Sequence, residues 1–148
     1  MQKSDWTFTE FTTCDVAYET ASQLRNRLLR QPLGLDLFSE DRTAEALDRH
    51  FAAWSGEQII ACLVITPKSA ARVKLRQMCV AEDYQGRGVG SFLVARTEQL
   101  LRADGIEEIE LAARLEAQNF YQRLGYAIKG EPFMEVTIEH ILMAKMLT

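Results

Sequence analysis

The chain has 148 residues, of which 47% are hydrophobic and 26% charged, and it carries a net charge of −4 at neutral pH. That is one domain's worth of chain (1–148), long enough to bury a real core and ordinary in composition for a globular fold. A negative balance argues against nucleic acid as the main partner, since such domains usually present a basic face.

The charge is compatible with a cationic acceptor, but alone it decides little. Cys14, Cys62 and Cys79 are odd in number and widely spaced. They form no CxxC pair, so they fit neither a disulfide framework nor a zinc site, and they read as reduced cytoplasmic thiols with no metal. The N-terminus MQKSDWTFTEF has no apolar segment behind Lys3, unlike a signal peptide. No run approaches the roughly 18 apolar residues of a membrane span.

In chain order, Trp6–Phe11 alternates and predicts a strand, and Ala17, Ala21, Leu24 and Leu28 predict a helix over Val16–Arg30 that Pro32 and Gly34 stop. His50–Trp54 and Gln58–Thr66 flank Ser55-Gly56 as a hairpin. The second of these, IIACLVI, is apolar without alternation, so it belongs in the sheet centre. Val73–Val80 reads as the next strand. After a glycine loop, Val89, Leu93, Leu100 and Leu101 mark a helix face that Asp104-Gly105 closes. Ile106–Ala112 alternates as a half-exposed strand, and Ala117, Phe120 and Leu124 mark a short helix ended by Gly125. Ile138–Leu147 is a late strand after the Gly130-Glu131-Pro132 turn. The fold class is therefore α/β (α+β mixed): a central mixed sheet flanked by helices on both faces.

The loop AEDYQGRGVGSFLV lies between a strand and a helix. Helix N-termini leave amides without internal partners and carry partial positive charge. Glycines lack side chains that would block a close ligand, and Arg87 adds a charged donor, so the loop suits a phosphate. A Walker A loop needs a lysine after the glycines and none follows. A Rossmann fingerprint needs GxGxxG, whereas here the third glycine comes one position early and a long unrelated stretch precedes it. A plain strand–helix turn is the remaining alternative.

Gln85-Gly86-Arg87-Gly88-Val89-Gly90 matches the [QR]xxGx[GA] pattern of the GNAT acyltransferases. RQMCVAEDYQGRGVGSFLV resembles that family's fourth strand, pyrophosphate loop and third helix. NFYQRLGY resembles its later helix, and GEPFMEVTIEHILMAKML resembles the end of a bacterial subgroup of mostly unassigned acceptor. The first 50 residues match less specifically.

The resemblance implies a GNAT-like fold and acetyl-CoA as acyl-donor cosubstrate. It assigns Gln85, Gly86, Arg87, Gly88, Val89, Gly90 and Ser91 to the coenzyme pyrophosphate. Met78, Cys79 and Val80 would pair with pantetheine as an added half-strand, one of their amides facing the thioester oxygen. Asn119 is a coenzyme contact by the same resemblance.

Tyr121 matches the position of the family's usual acid, while a core tyrosine with a satisfied hydroxyl is the competing reading. The base is not legible. His140 has suitable chemistry, against the commoner structural role of a histidine beside an apolar strand. Glu135, Glu110 and His50 are weaker candidates, and water relays could serve. Cys79 reads as a buried thiol rather than a nucleophile. Arg25, Arg27 and Arg30 read as a solvated helix face; if functional, they would favour an acceptor with a carboxylate or phosphate.

The expected activity is acyl transfer, most simply acetyl transfer, from the coenzyme to a small-molecule or protein amine by direct attack in a ternary complex. A non-catalytic module sensing coenzyme A or another nucleotide is the alternative, and a nucleotide-dependent oxidoreductase a distant third. Neither nucleic acid nor a membrane is expected as partner. Relatives of the family often dimerise, though no exposed apolar stripe demands a homodimer here.

Overall fold

Strands and helices alternate along the chain as the periodicity requires, and the computed structural model, which describes residues 5–147, gathers the strands into one mixed sheet. The first half is a meander of β1 (Trp6–Phe11), β2 (Arg49–Ser55), β3 (Gln58–Pro67) and β4 (Arg72–Val80), with α1 (Val16–Leu29) and short 3-10 turns inserted between β1 and β2. The second half runs α2 (Val89–Ala103), β5 (Glu108–Arg114), α3 (Gln118–Arg123), β6 (Ala127–Ile128), β7 (Phe133–Glu135) and β8 (Ile138–Met146). The strand order is β1-β2-β3-β4-β5-β8-β6, with β7 also paired to β8. All pairings are antiparallel except β4–β5, the one junction that needs a helical crossover, which α2 supplies.

The strand period of two sorts side chains onto two faces. Phe51, Ala53, Leu75, Ile109 and Leu111 pack with Leu93 and Leu101 of α2 on one face. Ala52, Ile59, Cys62 and Cys79 pack with Ala21 and Leu24 of α1 on the other. β3, apolar throughout, is buried from Ile59 to Ile65 because both helices cover it. β5 begins and ends two residues later than its alternation suggested, which carries Arg114 into the strand. The two short strands β6 and β7 were not foreseen; they are exposed edge segments with no alternation of burial to signal them.

The arginines of α1 do not form a solvated face. Arg25 is 1% exposed and pairs with Glu45, itself 5% exposed, at 2.6 Å. Its guanidinium also donates to Gln77 Oε1 from Nε at 2.8 Å and from Nη2 at 2.6 Å. Arg27 does remain at the surface, bonded to Glu82. Arg30 is buried against Glu40. Sequence spacing put all three on one helix, but the 3-10 turns folded back over α1 supply the carboxylates that draw two of them inward.

Glu45 also accepts the Tyr18 hydroxyl at 2.7 Å. Burial alone would raise the Glu45 carboxyl, yet the Arg25 guanidinium overrides it and holds the group below its ordinary range. The pair therefore stabilises the fold fully above the unfolded carboxyl value of roughly 4.3, and the stabilisation is lost as pH falls through the lower folded value. Removing one partner of a buried ion pair leaves the other uncompensated, at about 3–5 kcal/mol. Glu45→Gln should lower unfolding stability by about that amount near pH 7. The gap to the parent protein should narrow on acidification below roughly pH 4 in denaturant titrations.

Candidate functional site

The parallel ladder between β4 and β5 ends at Leu75–Leu111, although both strands continue, to Val80 and Arg114. Two features open them. Gln77 takes a positive φ of 52°, and the register between β3 and β4 shifts between Cys62 and Val64, so β4 carries a bulge there. The Arg25 guanidinium grips Gln77 from the α1 side and holds that bulge in place. The gap is a cleft of about 380 Å³ whose walls include Met78, Gln77, Ala113, Arg114, Ala117, Tyr121 and His140. The alanines leave room where larger residues would close it.

β4 lines the cleft as far as Met78, ends at Val80 and then gives way to the glycine loop. Gly86 and Gly88 have φ of 75° and 89°, left-handed values that favour glycine. Gly88 is the N-cap of α2, and the first amide taken up inside the helix is Phe92 N–H, donated to Gly88 O at 3.0 Å. The amides of Val89, Gly90 and Ser91 thus precede the helical ladder, the arrangement that binds an anion. Gln85 is exposed and its Nε2 donates to Val80 O at 2.9 Å, capping the end of β4. Arg87 is exposed, stacks over the Tyr84 ring and donates to Asp83 O. The Val89 side chain is part of the core, so only its backbone faces the loop's concavity. Gly90 is buried, and a Cβ there would lie 3.0 Å from both Met78 Cε and Phe120 Cζ. It is a packing glycine as well as a loop residue.

Tyr121 and His140 are both buried and both line the cleft. The Tyr121 hydroxyl points to Met78 Sδ at 3.5 Å, a weak acceptor. Burial drives its pKa well above the usual tyrosine value, so the phenol keeps its proton and remains a donor. His140 Nδ1 lies 3.0 Å from Ile138 O. A carbonyl can only accept, so Nδ1 donates to it, and in the neutral imidazole the lone pair is then on Nε2. Phe133 stacks on the ring and fixes its plane. One donor and one acceptor thus stand in the same cleft.

The remaining sequence candidates divide. Met78 lines the cleft, whereas the Cys79 side chain turns to the α1 face, 3.8 Å from Cys62 Sγ, where its bond to Cys62 and burial raise its pKa. That thiol is a poor nucleophile. Val80 is half-buried, Ser91 half-buried on α2, and Asn119 exposed on α3 outside the cleft lining. Glu135 does reach the cleft. Glu110 is held by Lys68 and Arg72, and His50 is buried between Phe11 and Tyr18 with Nε2 on Glu45 O. Sequence reasoning missed Gln77, whose bulge has no residue signature, and Arg114, which lay beyond the expected strand end.

Residues 46–128 match the family model of the acetyltransferase (GNAT) domain. The protein YyaT of Bacillus subtilis is 36% identical over 72 residues, 49% of each chain. The uncharacterized N-acetyltransferase YitI of the same organism is 27% identical over 141 residues, which covers 89% of this chain and 93% of that one. In structure, the chain resembles an aminoglycoside 6′-N-acetyltransferase complexed with coenzyme A, with a TM-score of 0.80 at 16% identity, over 96% of this chain and 97% of that one.

Two glycine substitutions separate packing from backbone demand. Gly90→Val drives Cβ into Met78 and Phe120, and overpacking of this kind costs about 1–3 kcal/mol. Gly86→Ala meets no atom within 4 Å and pays only for its left-handed backbone, about 1 kcal/mol. Thermal unfolding should rank Gly90→Val below Gly86→Ala, and only the former should also shift the near-ultraviolet signal of Tyr121, whose ring packs edge-on against Phe120.

Proposed function

The chain belongs to the GNAT acetyltransferase family, and we propose that it is an N-acetyltransferase that carries an acetyl group from acetyl-CoA to a primary amine by direct attack in a ternary complex. One observation carries this reading: a cleft opened between β4 and β5 with Tyr121 and His140 in its walls, and with β4 running on into the glycine loop, whose Gly90 packs against the cleft residue Met78.

The residues present fit the coenzyme. Loop amides from Gly86 to Ser91, two of them made accessible by left-handed glycines, would hold the pyrophosphate. Past Leu75 the edge of β4 that faces β5 has no ladder partner, which suits an extended amide chain lying beside Met78, Cys79 and Val80. When bound, acetyl-CoA supplies the acyl group as a thioester.

The protein's own contribution is to move protons and orient groups. An alkylamine with a pKa of ~10 is mostly protonated near neutrality and must lose a proton before it attacks. His140 Nε2, with its lone pair set by the Nδ1–Ile138 bond, accepts that proton. Tyr121, kept protonated by burial, donates a hydrogen bond to the departing sulfur. An ordinary thiol near pKa ~8.5 is more acidic than this phenol. The tyrosine therefore stabilises the thiolate by hydrogen bonding, and its own deprotonation is not required. The amides of β4 are available to the oxygen that gains charge during attack.

Calorimetry should detect saturable acetyl-CoA binding in the micromolar-to-millimolar range, and absence of binding would sink the proposal. Gly88→Val, at a φ of 89°, should abolish that binding. In an amine panel scored by free-thiol release, His140→Gln should lower kcat by about 100-fold or more. Tyr121→Phe should lower kcat more than it weakens coenzyme affinity. Equal turnover in Tyr121→Phe would remove that residue from the mechanism, and binding without thiol release from any amine would favour a coenzyme sensor.

A further inference from the structure

The chain is acidic overall, yet the cleft is not. Its charged lining comprises Arg30, Lys74, Arg76 and Arg114 against the single carboxylate Glu135. Two of these cations are already committed, Arg30 to Glu40 at 2.7 Å and Arg76 to Asp48 at 3.8 Å. Arg114 is different. Among the described residues it forms no salt bridge, Glu116 acting on it only at longer range, and its Nη2 alone has a protein acceptor, Leu29 O at 3.0 Å. Lys74 likewise shows no ion pair; Glu110, opposite it on the ladder, is taken by Lys68 and Arg72.

Arg114 stands at the end of β5 directly opposite His140 of β8. Directly opposed residues on an antiparallel pair share a face, their Cβ atoms about 4.5–5.5 Å apart. The guanidinium is thus a cross-strand neighbour of the ring whose Nε2 would take the amine's proton. Burial pushes its pKa down, the neighbouring Arg30 adds to this, and Glu116 only partly opposes it. A half-buried fork of N–H donors without a salt-bridge partner, lining an open cleft, matches the planar oxygens of a carboxylate or phosphate.

We infer that the acceptor is a small amine that bears its own carboxylate or phosphate, and that Arg114 is the residue that recognises this anion. The inference rests on the acyl-transfer reading for its chemistry and on the cleft for its selectivity. It places the amine at His140 and the anion one strand over at Arg114. It also disfavours a polycationic acceptor, which would meet Arg114 and Lys74, unpaired among the described residues, against one carboxylate, Glu135.

The test uses the full chain with acetyl-CoA and matched amines. 4-Aminobutyrate is compared with butylamine and 1,4-diaminobutane, and O-phosphoethanolamine with ethanolamine. The expected result is a kcat/KM at least tenfold higher for the carboxylated or the phosphorylated amine than for its counterpart lacking the anion, and whichever series shows it identifies the anion. Arg114→Gln should reduce that ratio at least tenfold, through KM rather than kcat. Arg114→Lys keeps a donor for Leu29 O but loses the fork, so it should remain folded while the ratio still falls.

A preference for butylamine or the diamine, or an unchanged ratio in both variants, would overturn the inference while leaving acyl transfer intact. If no amine releases thiol, calorimetric titration of the protein–coenzyme A mixture with glutarate and with inorganic phosphate decides the matter. Saturable binding lost in Arg114→Lys supports the anion site, and no binding of either overturns it.

Discussion

The proposed site of this molecule depends on one ladder that stops early. β4 and β5 are parallel neighbours, and hydrogen bonding holds them together only as far as Leu75 and Leu111. Had the ladder continued, the sheet would be closed and backbone would fill the space where the cleft lies. The bulge at Gln77 turns β4 aside, and a bulge is stable only when neighbours hold the unusual backbone. Here the hold comes from Arg25, buried beneath it and charge-balanced by Glu45. A buried ion pair contributes little net stability compared with an apolar pair of the same size. Its presence is better explained by position: a guanidinium can bond Gln77 and Glu45 at once, which no apolar side chain could do.

The divergence gives the cleft two unlike sides. Met78 and Tyr121 belong to the α2 side, which continues the large apolar core. Leu29, Arg30 and Arg114 belong to the α1 side, where charge collects at the end of the helix. Apolar surroundings keep the tyrosine protonated on the first side. On the second, the histidine's tautomer is set by a backbone carbonyl of its own strand. A donor and an acceptor with distinct environments can thus coexist in one cleft without neutralising each other. The overall charge of −4 says nothing about this local arrangement, because among the described residues Glu135 is the only carboxylate in the cleft lining.

The glycine loop was legible from sequence because its demands are local. Gly86 and Gly88 answer left-handed backbone, and the helix that starts at Gly88 follows from the apolar repeat of Val89, Leu93 and Leu101. Strand periodicity likewise located β1 to β5 and β8 to within a few residues, since burial on one face selects the alternation. β6 and β7 escaped because exposed edge strands carry no such selection. Tyr121 could be placed only through resemblance of the NFYQRLGY segment, since a lone tyrosine has no periodic signature.

The sequence by itself determined the order of elements, the mixed sheet, the glycine loop and the family resemblance, because each depends on residues close together in the chain. Only the tertiary structure decided which charges face the cleft. Arg25, Arg27 and Arg30 look alike as a helical series, yet one braces the bulge, one stays in solvent, and one reaches the cleft already paired. Arg114 and His140 are far apart in sequence and become neighbours through the β5–β8 register. That register is set by which face of each strand can bury its apolar side chains, a property of the assembled sheet that no single segment contains.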